Sequence, residues 1–459
     1  MAFKRTSELK TLENYYNRND NQIVVLYGNR YSGKHSLLRE FLKGKQFYYY
    51  AARACSGEEQ LKQWYDELKD ALPKNVPIKE GYTGIISTMT AQKTEAGKRI
   101  IVIDEFQNII KSGNEFMEAV VQGAHSRLNQ INSPVMFLLC SSSVYWVENQ
   151  MVDRLRELAF EISGLLRLND LKFLDFTKYF KNYDMVASVE AYSVIGGSPM
   201  LWELWDDEKT VAENICRLAL KEGGPLYNYG NNLLPSELRE PVVYNTILSA
   251  LAQGKNKLND IYKYTGFSRA KISVYLKNLI ELEMVAKIDS VNTAGHENVQ
   301  KGIYRIVNPY ARFWYKYIFK NYSRMVFTPP EKFFNRYIAP TFKAYTAYCF
   351  TDVCAEYLDI LNQRNKLSFR YNQRGVWVGK VGTIDTVAMD DNGNTLVALC
   401  NWENPLMKYE DYEWLMFCIK QAKLNVDAIY LFSAGDFDLE LKQEAMIKDN
   451  IRLIDGSQL

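Results

Sequence analysis

The stretch from residue 23 to residue 36 constrains the fold of this chain more than any other. Ile23 to Tyr27 form an apolar run rich in β-branched residues, which predicts a buried parallel strand. Four residues then separate Gly28 from the pair Gly33 and Lys34, and the residues after Lys34 show helical spacing of their apolar side chains. A strand, a glycine-bounded loop, a lysine and a helix are, in that order, what a phosphate-binding loop requires.

The loop predicts contacts with nucleotide phosphates through backbone N–H groups and the positive end of the following helix. Its expected ligand-binding residues are Gly28, Asn29, Arg30, Tyr31, Ser32, Gly33, Lys34, His35 and Ser36. Lys34 is expected to reach the terminal phosphates as a point charge. His35 stands where such loops carry the Ser or Thr whose hydroxyl holds Mg²⁺, and imidazole is a poor ligand for that ion. Phosphate binding is therefore predicted, whereas Mg²⁺-assisted hydrolysis is left open.

A second segment supports the same chemistry. Ile100 to Ile103 predict a buried strand that delivers Asp104 and Glu105 to its carboxyl end, where ligands of open α/β sheets bind. In a nucleotide-hydrolysing site, Asp104 is expected to hold Mg²⁺ and Glu105 to polarise the attacking water. Two acids after a strand also begin many ordinary loops, and it is the glycine loop upstream that favours the catalytic interpretation.

A third strand, predicted at 135–140, ends in hydroxyl residues. Ser142, with Ser141 beside it, is a candidate for sensing a γ-phosphate, and a plain strand-to-loop turn is the alternative. Strands that alternate with helices in this region predict a parallel sheet. Three arginines near the last predicted strands are candidates for stabilising charge during phosphoryl transfer or for plain surface positions, namely Arg154, Arg156 and Arg167.

Composition narrows the class of protein. A hydrophobic content of 47% is ample for folded cores, and a formal charge of +2 excludes a strong general attraction to nucleic acid. Seven cysteines without CxxC pairs and three histidines predict no metal-ligand cluster. Because the sequence shows no signal-like start and no long apolar run, we expect a cytoplasmic protein that does not interact with membranes.

Beyond a Gly-Gly-Pro break at 223–225, the pattern changes to a helix-turn-helix. Helices are predicted over 242–253, 257–264 and 268–283, and two wing strands over 284–288 and 302–306. On the last helix, Lys271 and Lys277 are candidate contacts to the phosphates of double-stranded DNA, and Asn278 a candidate contact to a base edge. A winged helix that only packs between domains explains the same pattern equally well.

The C-terminal part predicts a small α/β domain. It should begin with a helix over 337–362 and contain strands near 367–371, 376–379, 382–389, 395–402 and 428–432. Further helices are expected over 410–424 and 439–449. Asp390 to Asn394 predict a hairpin turn between two of these strands.

Taken together, the chain resembles the archaeal-type ATPases, which are also found in bacteria and are related to AAA+ and signal-transduction NTPases. The matching motifs are Glu8-Leu9, the Gly28–Lys34 loop, Asp104-Glu105-Phe106-Gln107, Ser141-Ser142 and Gly196-Gly197-Ser198-Pro199. The resemblance implies an α/β fold with a P-loop NTPase parallel sheet over 1–170 and a helical lid over 171–235. A winged helix-turn-helix over 236–325 and a small α/β domain similar to PD-(D/E)XK restriction endonucleases over 326–459 would follow.

The residues that such a nuclease domain uses to hold a metal are mostly replaced. Thr351 stands where the first helix should carry Glu, and of the expected acidic pair only Asp385 is present. Leu399 and Asn401 replace the Glu and Lys of the next strand. One carboxylate without the lysine cannot assemble the metal site, so we expect no nuclease activity.

The leading functional hypothesis is an ATP-binding switch or slow ATPase, with ATP as ligand and Mg²⁺ as a less secure cofactor. The bound nucleotide would change how the core packs on the winged helix and the C-terminal domain, and self-association or another protein partner is compatible with this. The alternative is a DNA-binding or regulatory protein with a vestigial nucleotide site. An active ATP-coupled nuclease is the least favoured of the three.

Overall fold

The computed structural model describes residues 5–72, 79–92, 97–111, 113–125, 134–234, 238–288, 290–291, 302–379 and 381–459. The chain divides into two compact units. The first consists of residues 1–170 and 198–200, and the second of residues 171–197 and 201–459. Over the described ranges, no helix combines the length and the apolar character needed to cross a bilayer.

The first unit is built on a parallel sheet. Its strands are β1 (Gln22–Tyr27), β2 (Phe47–Ala51), β3 (Arg99–Asp104), β4 (Val135–Ser141) and β5 (Gly164–Arg167). They lie in the order β2-β3-β4-β1-β5, and every pair is parallel. The order places the carboxyl ends of the glycine-loop strand, the acidic strand and the serine strand at one edge of the sheet, which is where open α/β sheets bind ligands.

Helices cover both faces of this sheet. They are α1 (Thr6–Tyr16), α2 (Lys34–Leu42), α3 (Gly57–Ala71), α4 (Gly81–Ala91), α5 (Gln107–Ile110), α6 (Glu115–His125), α7 (Val144–Asn149) and α8 (Met151–Leu155). Alternate strand residues enter two separate cores, since Val25 and Ile101 pack in one and Val24 and Val102 in the other. Burial of both faces explains why β1, β3 and β4 are apolar along nearly their whole length.

The second unit begins with helices. These are α9 (Phe173–Tyr179), α10 (Met185–Ile195), α11 (Pro199–Leu204), whose first two residues belong to the first unit, and α12 (Val211–Ile215), which continues as a wider helical turn over Cys216–Leu220. The helix-turn-helix follows as α13 (Pro241–Ala252), α14 (Leu258–Thr265) and α15 (Arg269–Glu281). Strands β6 (Val285–Ile288) and β7 (Ile303–Ile306) pair antiparallel as its wing. This confirms the predicted order of elements in this region.

A further helical stretch leads to the C-terminal sheet. It contains α16 (Pro309–Phe313), α17 (Tyr322–Phe327), α18 (Pro330–Phe333) and the long α19 (Ala339–Gln363). The sheet strands are β8 (Gln373–Val378), β9 (Thr383–Met389), β10 (Thr395–Asn401), β12 (Ala428–Ser433) and β14 (Ile451–Asp455). Two short strands, β11 (Leu406–Met407) and β13 (Asp436–Phe437), pair separately, and the helices are α20 (Tyr409–Ala422) and α21 (Leu439–Ile447).

The C-terminal sheet is mixed and has the order β14-β12-β10-β9-β8. Strands β8, β9 and β10 are antiparallel neighbours, and β10, β12 and β14 are parallel neighbours. The architecture is therefore α/β, with a parallel sheet first, a helix-turn-helix next and a small α/β sheet domain last.

Two sequence-based predictions about this domain were wrong. The strand predicted at 367–371 is not formed, because the N–H and C=O of Tyr371 bond to the side-chain amide of Asn362, at 3.1 and 2.9 Å, and not to a neighbouring strand. Strand β14 was missed, although it pairs with β12 along its whole length. The sequence also predicts a helix over 115–130, of which residues 126–130 lie outside the described residues.

Candidate nucleotide-binding site

The loop between β1 and α2 has the backbone form that its glycines predict. Gly33 adopts φ +90° at the start of α2, a conformation that favours glycine. A Cβ on Gly28 would lie 2.4 Å from the carbonyl oxygen of Leu168, so this position also requires glycine. Pro199 belongs to the first unit although it lies far along the chain, and it packs beside Gly33. A Cβ added to Gly33 would lie 3.2 Å from the Pro199 ring.

Lys34 points into this loop. Its ammonium donates to the carbonyl oxygens of Gly28 and Asn29, at 2.7 and 3.0 Å, and the residue is only 7% exposed. Burial lowers the pKa of Lys34, and the nearby carboxylates of Glu105 and Asp104 oppose that shift. The charge that was predicted to meet phosphates is therefore held at the centre of the loop.

Arg5, the residue before α1, supports the loop, a role that the sequence did not suggest. Its guanidinium is almost buried and donates to the carbonyl oxygen of Ser32 at 2.7 Å and to Glu8 at 3.1 Å. The hydroxyl of Ser32 is buried and has no hydrogen-bond partner among the residues that the structure describes. A buried hydroxyl of this kind requires a partner, and a phosphate oxygen of a bound nucleotide is one chemical group that supplies it.

Asp104 lies at the end of β3 beside the loop, but its oxygens are already engaged. Its Oδ2 accepts from His35 Nε2 at 3.0 Å and from the Tyr49 hydroxyl at 2.9 Å, and its Oδ1 accepts from the Glu105 N–H at 3.0 Å. The strand register explains why Tyr49 reaches it: Ala51 pairs with Asp104, and Tyr49 is two residues earlier on the same face of β2.

This arrangement does not fit Mg²⁺. Hard cations take oxygen ligands, whereas the position of the usual hydroxyl ligand carries an imidazole that bonds to the very carboxylate expected to face the metal. The Asp104 side chain is 6% exposed, whereas the His35 side chain that bonds to it is 68% exposed.

Glu105 is held in a specific orientation at the same edge. It adopts a left-handed backbone conformation with φ +53°, and its Oε2 accepts from the Ser142 hydroxyl at 2.8 Å and from the Ser142 N–H at 3.2 Å. The Gln107 side-chain amide donates to the same oxygen. Ser142 thus bonds to the carboxylate predicted to act on water, and both predicted catalytic residues are brought together.

The three candidate arginines differ in their surroundings. Arg154 donates to the carbonyl oxygens of Ile110 and Lys111, at 3.2 and 3.4 Å. Arg167 bonds to Glu148 at 2.6 Å, and Arg156 has an exposed side chain. Arg154 and Arg167 thus have structural partners within the first unit.

Comparisons with known proteins agree with this geometry. Residues 3–204 match the model of an ATPase domain found predominantly in archaea. This part of the chain is therefore similar to the archaeal-type ATPase family. The ATPase domain is followed by a match to bacterial regulatory proteins of the arsR family over residues 245–287, and by a match to a family of archaeal and bacterial proteins of unknown function over residues 314–414.

Individual relatives are distant. An uncharacterized protein of Methanocaldococcus jannaschii is 26% identical over 403 residues, which is 85% of each chain. A Walker-type ATPase of Pyrococcus abyssi is 18% identical and has a TM-score of 0.48, covering 69% of this chain and 96% of that one. The ORC2 protein of Aeropyrum pernix, solved as ADPNP–ADP complexes, is 13% identical with a TM-score of 0.43, covering 71% and 94%.

Downstream of the ATPase domain, each predicted DNA-contacting residue has a partner within the helix-turn-helix. Lys271 lies 3.5 Å from Glu240, Lys277 lies 3.9 Å from Glu281, and the Asn278 amide donates to the Tyr244 hydroxyl at 2.8 Å. The two lysines remain on accessible surface, with side chains 38% and 78% exposed. The hydrogen bond of Asn278 instead connects α15 to α13.

In the C-terminal domain, the residues at the nuclease-like positions do not form a metal site. The Thr351 hydroxyl bonds to the Ala347 carbonyl, and the Asn401 amide bonds to Asn404 and Ser433. Asp385 accepts from the backbone N–H of Cys400 at 2.9 Å, and burial raises the pKa of Asp385 to about 6. Among the described residues, no group of three or more His, Cys, Asp or Glu side chains is placed to hold a metal ion.

Reasoning from the sequence missed three residues of the nucleotide site. The sequence indicated no functional role for Tyr49 and none in the loop for Arg5, and Gln107 entered only as part of a family motif. The position of Tyr49, two residues before the end of a strand, would point to Asp104 only if β2 and β3 were known to be neighbours. The parallel order of the sheet supplies that information, and the sequence does not.

Proposed function

We propose that this protein is an ATP-binding switch in which hydrolysis is slow. The chain combines a P-loop domain of the ATPase type with a helix-turn-helix, and the loop centred on Lys34 offers backbone N–H groups and one buried cation to the phosphates. The observation that carries the proposal is the engagement of Glu105. A general base must reach the attacking water, and this carboxylate accepts hydrogen bonds from Ser142 and Gln107.

The experiment is equilibrium binding of ATP and ADP by isothermal calorimetry, paired with phosphate release under the same conditions. We expect nucleotide binding that is lost in Lys34→Ala, with turnover that is slow and abolished in Glu105→Gln. Lys69→Ala, which removes an exposed lysine at the end of α3, is the matched control and should bind as the native chain does. Absence of binding in the native protein would refute the proposal, and rapid turnover would refute the slow step.

A second candidate function is DNA binding through the helix-turn-helix, favoured by the match to arsR-family regulators over residues 245–287. Lys271 and Lys277 are two of the basic residues that α15 presents on its accessible surface, and Arg269 is a third. If the two lysines contact phosphates, replacing either with alanine should weaken binding to a mixed-sequence DNA duplex. It should also reduce the slope of log K against log salt concentration by about one. Fluorescence anisotropy at several salt concentrations measures this, with Lys69→Ala again as the control.

We also propose that the C-terminal domain has a PD-(D/E)XK-like fold without nuclease activity. Its mixed sheet, in which β8, β9 and β10 are antiparallel, its flanking helices and the one acid retained at the nuclease-like positions, Asp385, support this. The purified protein should not cleave DNA with Mg²⁺ or Mn²⁺. Reproducible nicking that disappears in Asp385→Ala would overturn the proposal.

A further inference from the structure

The Asp104 carboxylate is surrounded by hydrogen-bond donors of the protein, and this bears on how the site balances the negative charge of nucleotide phosphates. Asp104 has two carboxylate oxygens, and the described side chains and backbone supply three donors to them: His35, Tyr49 and the Glu105 N–H. These three donors occupy most of the acceptor positions on the two oxygens.

The hydrogen bond from His35 fixes its role. An ionised carboxylate only accepts, so the nitrogen that faces it, Nε2, carries a proton and has no lone pair to offer a metal. The hydroxyl of Tyr49 lies 3.4 Å from the same nitrogen. Burial, and secondarily the neighbouring Asp104, raise the pKa of Tyr49, so it remains a neutral donor over the physiological range. His35 on α2 and Tyr49 on β2 therefore both donate a hydrogen bond to the Asp104 carboxylate.

The loop carries its own positive charge. Lys34 is buried within it, and Arg30 lies close enough to lower the pKa of that lysine, after the larger effect of burial. Two cations of the protein are thus available to the phosphates of a nucleotide. Metal-free nucleoside polyphosphates carry more negative charge than their Mg²⁺ complexes and match such a loop.

We propose that the loop binds metal-free nucleotide, and that His35 and Tyr49 make it do so by holding Asp104 away from Mg²⁺. This rests on the proposed nucleotide binding and extends it by naming the form of the ligand. His35 and Tyr49 are positioning residues, because they act through Asp104 and not on the nucleotide. On this proposal, His35 has a role of its own at the position of the usual hydroxyl residue, and it is not simply the loss of a Mg²⁺ ligand.

The test is equilibrium binding of fluorescent mant-ADP and mant-ATP to the full chain, in EDTA and in excess MgCl₂. For the native protein, binding should be at least as tight in EDTA as in excess MgCl₂, because Mg²⁺ withdraws the metal-free nucleotide that the loop binds. In the double variant His35→Thr/Tyr49→Phe, which restores a hydroxyl and removes two donors, Mg²⁺ should tighten binding by about tenfold or more. Tyr48→Phe, a change to the adjacent tyrosine of β2, is the matched control and should behave as the native chain does.

Each outcome separates the two proposals. Native binding that weakens about tenfold in EDTA would overturn this inference and leave the proposed function standing. A double variant no more responsive to Mg²⁺ than the native chain would also overturn it. Native binding no stronger than that of Lys34→Ala in either buffer would overturn both proposals. If thermal unfolding shows that the double variant is not folded, Tyr49→Phe alone is used, and it should gain part of the Mg²⁺ response.

Discussion

Replacing Ser142 with alanine distinguishes two roles for this hydroxyl. In the structure it donates to Glu105 Oε2 at 2.8 Å, so its removal frees the carboxylate from one of its side-chain donors. The sequence, by contrast, predicts a hydroxyl that senses the γ-phosphate. If the hydroxyl restrains Glu105, its loss should raise turnover. If it contacts the phosphate, its loss should lower turnover.

The magnitude follows from the geometry. A hydrogen bond to a charged group contributes about 1.5–3 kcal/mol. The Ser142 N–H at 3.2 Å and the Gln107 amide remain in the variant, so the lower end of that range applies. About 1.5 kcal/mol corresponds to about a tenfold larger population of Glu105 able to reach water, and hence to about tenfold faster turnover.

The assay is steady-state phosphate release at saturating ATP, with MgCl₂ and with EDTA. Ser143→Ala removes the neighbouring hydroxyl, which makes no capping hydrogen bond, and it should leave turnover unchanged. Adding Glu105→Gln to Ser142→Ala should abolish the gain. Turnover that is unchanged or reduced in Ser142→Ala would refute the restraint, and a reduction would support the γ-phosphate contact.

Three further substitutions test the fold of the nucleotide-binding loop and of the C-terminal domain. Gly28→Ala should lower the melting temperature and abolish nucleotide binding, because its Cβ would lie 2.4 Å from a backbone carbonyl oxygen; an unchanged melting temperature would contradict the reported crowding. Asp385→Asn should stabilise the protein above pH 6. Since the folded pKa is raised to about 6, the native carboxyl retains its proton while the unfolded one ionises, so stability falls between about pH 4 and 6. Thermal unfolding across that range should show a shallower fall in the variant, and parallel curves would rule this out. Asn362→Ala should lower the free energy of unfolding by about 2 kcal/mol, because both backbone groups of Tyr371 lose their partner; urea denaturation measures this, and no change would mean that water replaces the amide.

Local sequence patterns predicted the parts of the site that lie within single segments. The Gly28–Lys34 loop and the pair Asp104 and Glu105 are each defined by a strand and the residues that follow it, so hydrophobic runs and glycines were sufficient. The structure then brings them together because β1 and β3 are separated by only one strand.

Contacts that depend on strand order or on side-chain choice were not predictable. Tyr49 bonds to Asp104 across 55 positions, and Asn278 bonds to Tyr244 across 34. A single sequence does not specify which strands are neighbours, and it does not show that a polar side chain on a helix will bond to the helix behind it. The wrong strand at 367–371 has the same cause, since one amide on α19 satisfies the backbone groups of Tyr371 that a strand would have used.

The return of residues 198–200 to the first unit has a practical consequence for dissecting the protein. A fragment that ends at residue 170 lacks Pro199, which packs beside Gly33 of the loop, so an isolated ATPase domain should extend to about residue 204, as the family match does. The same feature bears on limited proteolysis. A single cut between residues 171 and 197 would leave the first unit composed of two polypeptides, with Pro199 of one packed beside Gly33 of the other.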